Sequence, residues 1–77
     1  MIEARILIPS EIDEIIFKSL KPEEGSHGER SEVKVYLREG IVEIRIRALD
    51  VVSARAALNT WLRLVNVVLE TAKEVLK

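Results

Sequence analysis

The sequence predicts an α+β fold: a single β-α-β-β-α domain over residues 1–77, with a three-stranded antiparallel sheet in the order 1-3-2 and two helices on one face. Three observations carry this. Apolar residues alternate over 2–8, 32–38 and 42–48, the period of a strand with one face buried. They recur every three or four residues over 12–20 and 51–76, the period of a helix with one face buried. The last two alternating runs are separated by Glu39-Gly40, a tight-turn pair that makes them a hairpin.

Each element has its own residues. Strand one places Ile2, Ala4, Ile6 and Ile8 on one face and Glu3, Arg5 and Leu7 on the other. Pro9-Ser10 ends it, and Ser10 with Asp13 three positions on forms a capping-box-like helix start. Helix one runs to about Leu20 on the core stripe Ile12, Ile15, Ile16 and Leu20, with Phe17 off that stripe. Lys21-Pro22 closes it, and 21–31 is a polar, glycine-containing loop, the expected mobile segment. Strand two turns Val33, Val35 and Leu37 inward, and strand three Val42, Ile44, Ile46 and Ala48. Asp50 is positioned as the N-cap of helix two, which fills the rest of the chain. A strand-helix-strand connection makes the first and second strands parallel, so the hairpin partner fits between them.

With 77 residues there is one small core, burying about 60% of the unfolded surface, so stability is marginal without a staple or a partner. There is no cysteine, and one His builds no metal site, which leaves idealised packing or oligomerisation. The chain has no Gln and two Asn beside 32% charged residues and many Ile and Val, a balance that leans towards a thermophile. A net charge of −1 provides no global attraction to nucleic acid or membrane. The charged N-terminus does not read as a signal peptide, and Arg55, Asn59, Arg63, Asn66 and Glu70 interrupt helix two as a membrane span. A cytoplasmic location follows as an expectation.

Helix two carries two apolar seams. Leu58, Leu62, Val65, Leu69, Ala72 and Leu76 form one; Ala57, Trp61, Leu64, Val68, Thr71 and Val75 form the other. At about 100° per residue they and Val67 and Thr60 make an apolar or neutral arc of ~200°, where a helix on its own core needs somewhat over ~100°. The surplus points to a protein partner. If the leucine-rich seam fills the gap above the sheet, the partner-binding set is Phe17, Ala57, Trp61, Leu64, Val68 and Val75. The assignment reverses if Trp61 belongs to the core.

The sheet face away from the helices holds Arg5, Lys34, Arg38, Arg45 and Arg47 with Tyr36, against Glu3 and Glu43. It reads either as a solvated face or as an RNA-facing surface, since basic groups interleaved with an aromatic suit phosphates and bases. The RNA-binding candidates are the arginines without a local acid: Arg45 and Arg47 on the sheet, Arg55 and Arg63 on helix two. Gly25-Ser26-His27-Gly28 matches the GXXG string of KH domains, but that loop joins two helices, and here the string lies between a helix and a strand. His27 has no Cys or Asp beside it, and Glu23-Glu24 read as loop solvation. No catalytic, cofactor-binding or metal residue is assigned, and no cofactor. Strand one is the less guarded sheet edge, so a two-fold homodimer is expected there or on the apolar patch beside it.

With Ile8-Pro9-Ser10-Glu11, Ala48-Leu49-Asp50 and the Arg-x-x-Leu-Asn-x-x-x-Arg run (Arg55, Leu58, Asn59, Arg63) in view, the chain resembles the Pcc-type small subunit of the KEOPS complex, in an archaeal-like form. The resemblance covers nearly the whole chain. It implies a non-catalytic subunit of the machinery that puts threonylcarbamoyl on the adenosine beside the anticodon of tRNA. Such a subunit homodimerises, packs its two helices on N-terminal helices of the catalytic subunit, bridges two copies of it and contributes to tRNA binding. The second class is a free-standing RNA-binding module of split-KH or ferredoxin-like type using the basic sheet face.

Overall fold

A computed structural model describes residues 1–26 and 30–75, the side chain of Val75 lying outside that set. The elements are β1 (Ile2–Pro9), α1 (Asp13–Leu20), β2 (Gly25–Ser26), β3 (Ser31–Arg38), β4 (Ile41–Ala48) and α2 (Val51–Val75), with a 3-10 turn at Lys21–Glu23. The α+β class, the antiparallel sheet and the two helices are as the periodicities require.

The sheet itself corrects the expectation. It has four strands rather than three, in the order β1-β4-β3-β2. The added strand comes from the segment read as a polar loop, where Gly25 and Ser26 pair with Val33 and Glu32. Two residues carry no alternation, so no hydropathy pattern marks them. His27 and Gly28 of the GXXG string lie outside the described residues.

Register follows from the turn. Arg38 pairs with Ile41 across Glu39-Gly40, and Gly40 takes a φ of 72°, which side chains with a Cβ rarely adopt. The end of β1 and the start of α1 hold this turn from the other side. Ser10 N–H donates to the Gly40 carbonyl at 2.9 Å, and Gly40 N–H donates to Asp13 Oδ2 at 3.0 Å. Asp13 Oδ1 accepts from Glu14 N–H at 3.0 Å, while Ser10 Oγ accepts from Ile12 N–H at 3.1 Å. The two polar residues therefore fix the entry to α1 without forming the reciprocal capping box.

Asp50 caps α2 as its position suggests: Oδ1 accepts from Ser53 N–H at 2.8 Å, and Oδ2 pairs with Arg30 Nη1 at 2.8 Å. Those hydrogen bonds, from Ser53 first and then Arg30, hold the Asp50 carboxyl below its usual range.

The core lies between the helices and the sheet face made by Val33, Val35, Val42, Ile44 and Ile46, all buried with Ile16, Leu20 and Trp61. On α1 the inward stripe is narrower than expected. Ile16 and Leu20 are buried, Ile12 and Phe17 pack partly against the core, and Ile15 is exposed.

Candidate functional site

Trp61 decides how α2 is turned. It is fully buried, and Ala57 is buried beside it, which corrects their assignment to a partner surface. The physical reason is depth: an indole fills the gap above a sheet of short β-branched side chains, and the small Ala54, Ala57 and Ala72 on the same side let the helix approach. Taking Trp61 as zero, about 100° per residue places Ala57 and Val65 ~40° to either side of it. Leu62 then lies ~100° to one side and Val67 ~120° to the other. Leu62 is 47% exposed and Val67 60% exposed. The core thus takes the inner half of both seams, and the apolar surplus is left on the two flanks. Leu64 and Val68 are half-buried against the core, as is Phe17, whose ring lies 5.8 Å from Lys21 Nζ. Of the expected partner residues, Phe17, Leu64 and Val68 keep accessible surface, Ala57 and Trp61 do not, and the side chain of Val75 lies outside the described residues.

The sheet face away from the helices is organised by one carboxylate. Cross-strand register sets Leu7, Glu43 and Tyr36 in one row and Arg5, Arg45 and Lys34 in the next. Glu43 is only 2% exposed although no secondary-structure element covers this face among the described residues. Its roof is made of side chains. Arg45 donates to Glu43 Oε2 from Nη2 at 2.7 Å and from Nε at 3.1 Å, and Arg38 Nη2 stands 3.5 Å from Oε1. The Arg45 guanidinium also lies over the Tyr36 ring at 4.9 Å and 3.8 Å from Glu3 Oε1. Hydrogen bonding by Arg45 holds the Glu43 carboxyl below its ordinary value, against burial, which works the other way; the same contact raises Arg45.

This geometry revises the four arginines. Arg45 is not without an acid partner: Glu43 lies two residues away on the same strand face, a spacing that matters on a strand and not on a helix. Arg47 is exposed and stands in register between Glu3 and Glu32. Arg55 and Arg63 are exposed on α2. The structure does not gather the four, since two lie on the open sheet face and two on the helix layer. Other chemistry is sparse. No group of three or more His, Cys, Asp or Glu residues is placed to hold a metal among the described residues. A hollow of about 290 Å³ by Met1 and Leu49 is lined by Arg30, Glu32 and Arg47. No helix among the described residues is long and apolar enough to cross a membrane.

Residues 2–73, from β1 to near the end of α2, match the sequence model of the family described as transcription factor Pcc1. The chain belongs to the Pcc1 family. No curated protein and no solved structure matches it. The family is that of a non-catalytic subunit associated with KEOPS. The surfaces left accessible on this chain are the apolar flanks of the helix layer, the paired charges of the open sheet face, and the sheet edges.

A carboxyl held low in the folded state adds stability that is complete above its unfolded value and disappears as pH falls through the folded value. Glu43, Glu24 and Asp50, all held below the ordinary carboxyl range, act in the same acid window. Glu43→Gln is expected to lower the urea midpoint at neutral pH and to make its fall between about pH 5 and about pH 3 shallower than in the wild type. A variant whose midpoint falls as steeply as the wild type contradicts the role given to this carboxylate.

Proposed function

We propose that this Pcc1 chain is an assembly subunit that homodimerises and joins two copies of the KEOPS catalytic subunit through its helix layer, in support of tRNA modification at the adenosine next to the anticodon. The observation that carries the reading is the apolar surface left over after the core is complete. Leu62 and Val67 on α2 and Ile15 on α1 stay exposed while Trp61 fills the core, and Phe17, Leu64 and Val68 lie half-covered. Helices of a partner laid along these flanks would bury them by bundle packing.

The dimer reading rests on the free edge of β1. Ser10 N–H bonds to Gly40 in the β1–β4 ladder, so even-numbered β1 residues face β4 and Glu3, Arg5 and Leu7 turn their backbone groups outward. Two-fold pairing of β1 with a second β1 about Ala4 sets Glu3 against Arg5 and Ile2 against Ile6. It also sets Met1, 76% exposed, against Leu7, 58% exposed. Pairing about Arg5 would set that residue against itself, and like charges directly opposed are unfavourable. Pro9, with no N–H, ends the run.

A contact with tRNA in the assembled complex is the second part of the reading, supported by the exposed Arg47, Arg55 and Arg63. The free-standing RNA module is the weaker alternative, because Arg45 is engaged by Glu43 and covers Tyr36, the aromatic a base would stack on.

Three measurements test these points. Leu62→Glu and Val67→Glu are expected to leave the thermal midpoint of the free chain nearly unchanged and to weaken capture of the catalytic subunit by about a hundredfold or more, since each strands a charge in an apolar interface. Capture at wild-type affinity would sink the docking surface. Arg5→Pro removes one outward donor and leaves the β1–β4 ladder intact, so it should sediment as a monomer where the wild type is a dimer; a monomeric wild type removes the dimer. In the assembled complex, Arg47→Ala is expected to lower the salt slope of tRNA binding by about one unit or less. An unchanged slope and affinity make the open sheet face a solvated one.

A further inference from the structure

Among the described residues, the outer side of β3 carries a covering that the β1 edge lacks. In the β3–β4 ladder Leu49 N–H donates to the Arg30 carbonyl at 3.0 Å, so Val33, Val35 and Leu37 turn their backbone groups away from β4. β2 covers Val33 through Gly25. At Val35 two side chains take over. Val35 N–H donates to Glu24 Oε2 at 2.8 Å, and Lys21 Nζ donates to the Val35 carbonyl at 3.2 Å. The two side chains are themselves 2.7 Å apart. A carboxylate stands where a neighbouring strand would present its carbonyl, and an ammonium where it would present its N–H. Pro22 stiffens the 3-10 turn that sets the two at this spacing.

We propose that the Lys21–Glu24 pair is a strand surrogate that extends the cover of β2 to Val35 and so closes the middle of the β3 edge, leaving β1 as the edge at which a second copy of this chain adds to the sheet. Symmetry gives this its consequence. A sheet with two open edges can extend copy after copy, whereas a single self-complementary edge pairs once about a two-fold axis and closes. The count of two rests on the dimer reading above; the closure of β3 does not. Two polar side chains also fit the edge better than hydrophobic ones would, since they satisfy Val35 and leave an outward surface that water, and not another strand, can cover.

The test is the whole chain carrying Lys21→Glu and Glu24→Lys together. The swap keeps net charge and the ion pair but offers an acceptor to the Val35 carbonyl and a donor to its N–H. Sedimentation at equal concentration is expected to show the swap at least one association step above the wild type. Adding Arg5→Pro should remove the β1 contact and leave the new one. If the wild type is a monomer, the dimer reading falls, and the swap is expected to dimerise through β3. A swap with the wild type's own size distribution overturns the proposal. Where the swap does not fold, Glu24→Ala is read by amide exchange at Val35, expected to be faster by about tenfold or more than in the wild type. Unchanged protection at that amide overturns the proposal equally.

Discussion

Trp61 lodged between α2 and the sheet is the contact on which the rest of this domain depends. It is the largest fully buried side chain, in one cluster with Ile16 and Leu20 of α1 and the Val/Ile face of β3 and β4. Truncating a buried Trp to Ala costs about 3–5 kcal/mol, and a core in a chain of this size rarely supplies more than that in total. The rotation of α2 about its axis is therefore not adjustable. Once the indole points down, Leu62, Val67 and Arg55 must point sideways and Arg63 outward. The apolar surface left exposed on the helix layer is a by-product of filling the core.

That dependence explains what the sequence disclosed. The width of the apolar arc on α2 was legible because spacing alone defines it; its centre was not. Two seams of equal period differ only in side-chain size, and the choice turned on whether the gap above the sheet takes an indole. Alternation located the three long strands, since a buried face imposes period two on every residue. It could not locate β2, where two residues are held by backbone pairing and no side chain of theirs enters the core. The resemblance carried by the Arg55–Arg63 run, by contrast, reached the family that the match over residues 2–73 shows.

Charge was the least legible property. Counting Arg45 as without a local acid overlooked the strand period, since its partner Glu43 sits two residues back on the same face. Glu43 shows why the distinction matters. With opposite charges from β3 and β4 closing over it, the carboxylate is buried without any overlying element. Part of the basic character counted from composition is thereby spent within the face, and Tyr36 is roofed by the same guanidinium.

The pairing of distant segments also orders events in time. Arg38 meets Ile41 across a two-residue turn, whereas Ile2 must find Ala48 across most of the sheet and the whole of α1. Closing the short loop costs less chain entropy, so the β3–β4 hairpin is the favoured first pairing and β1 is laid against a strand already in place. The outer edge of β1 does not exist as a straight, hydrogen-bonded strand until that last step is done. Pairing of two copies at this edge, as proposed above, would therefore select finished chains over nascent ones.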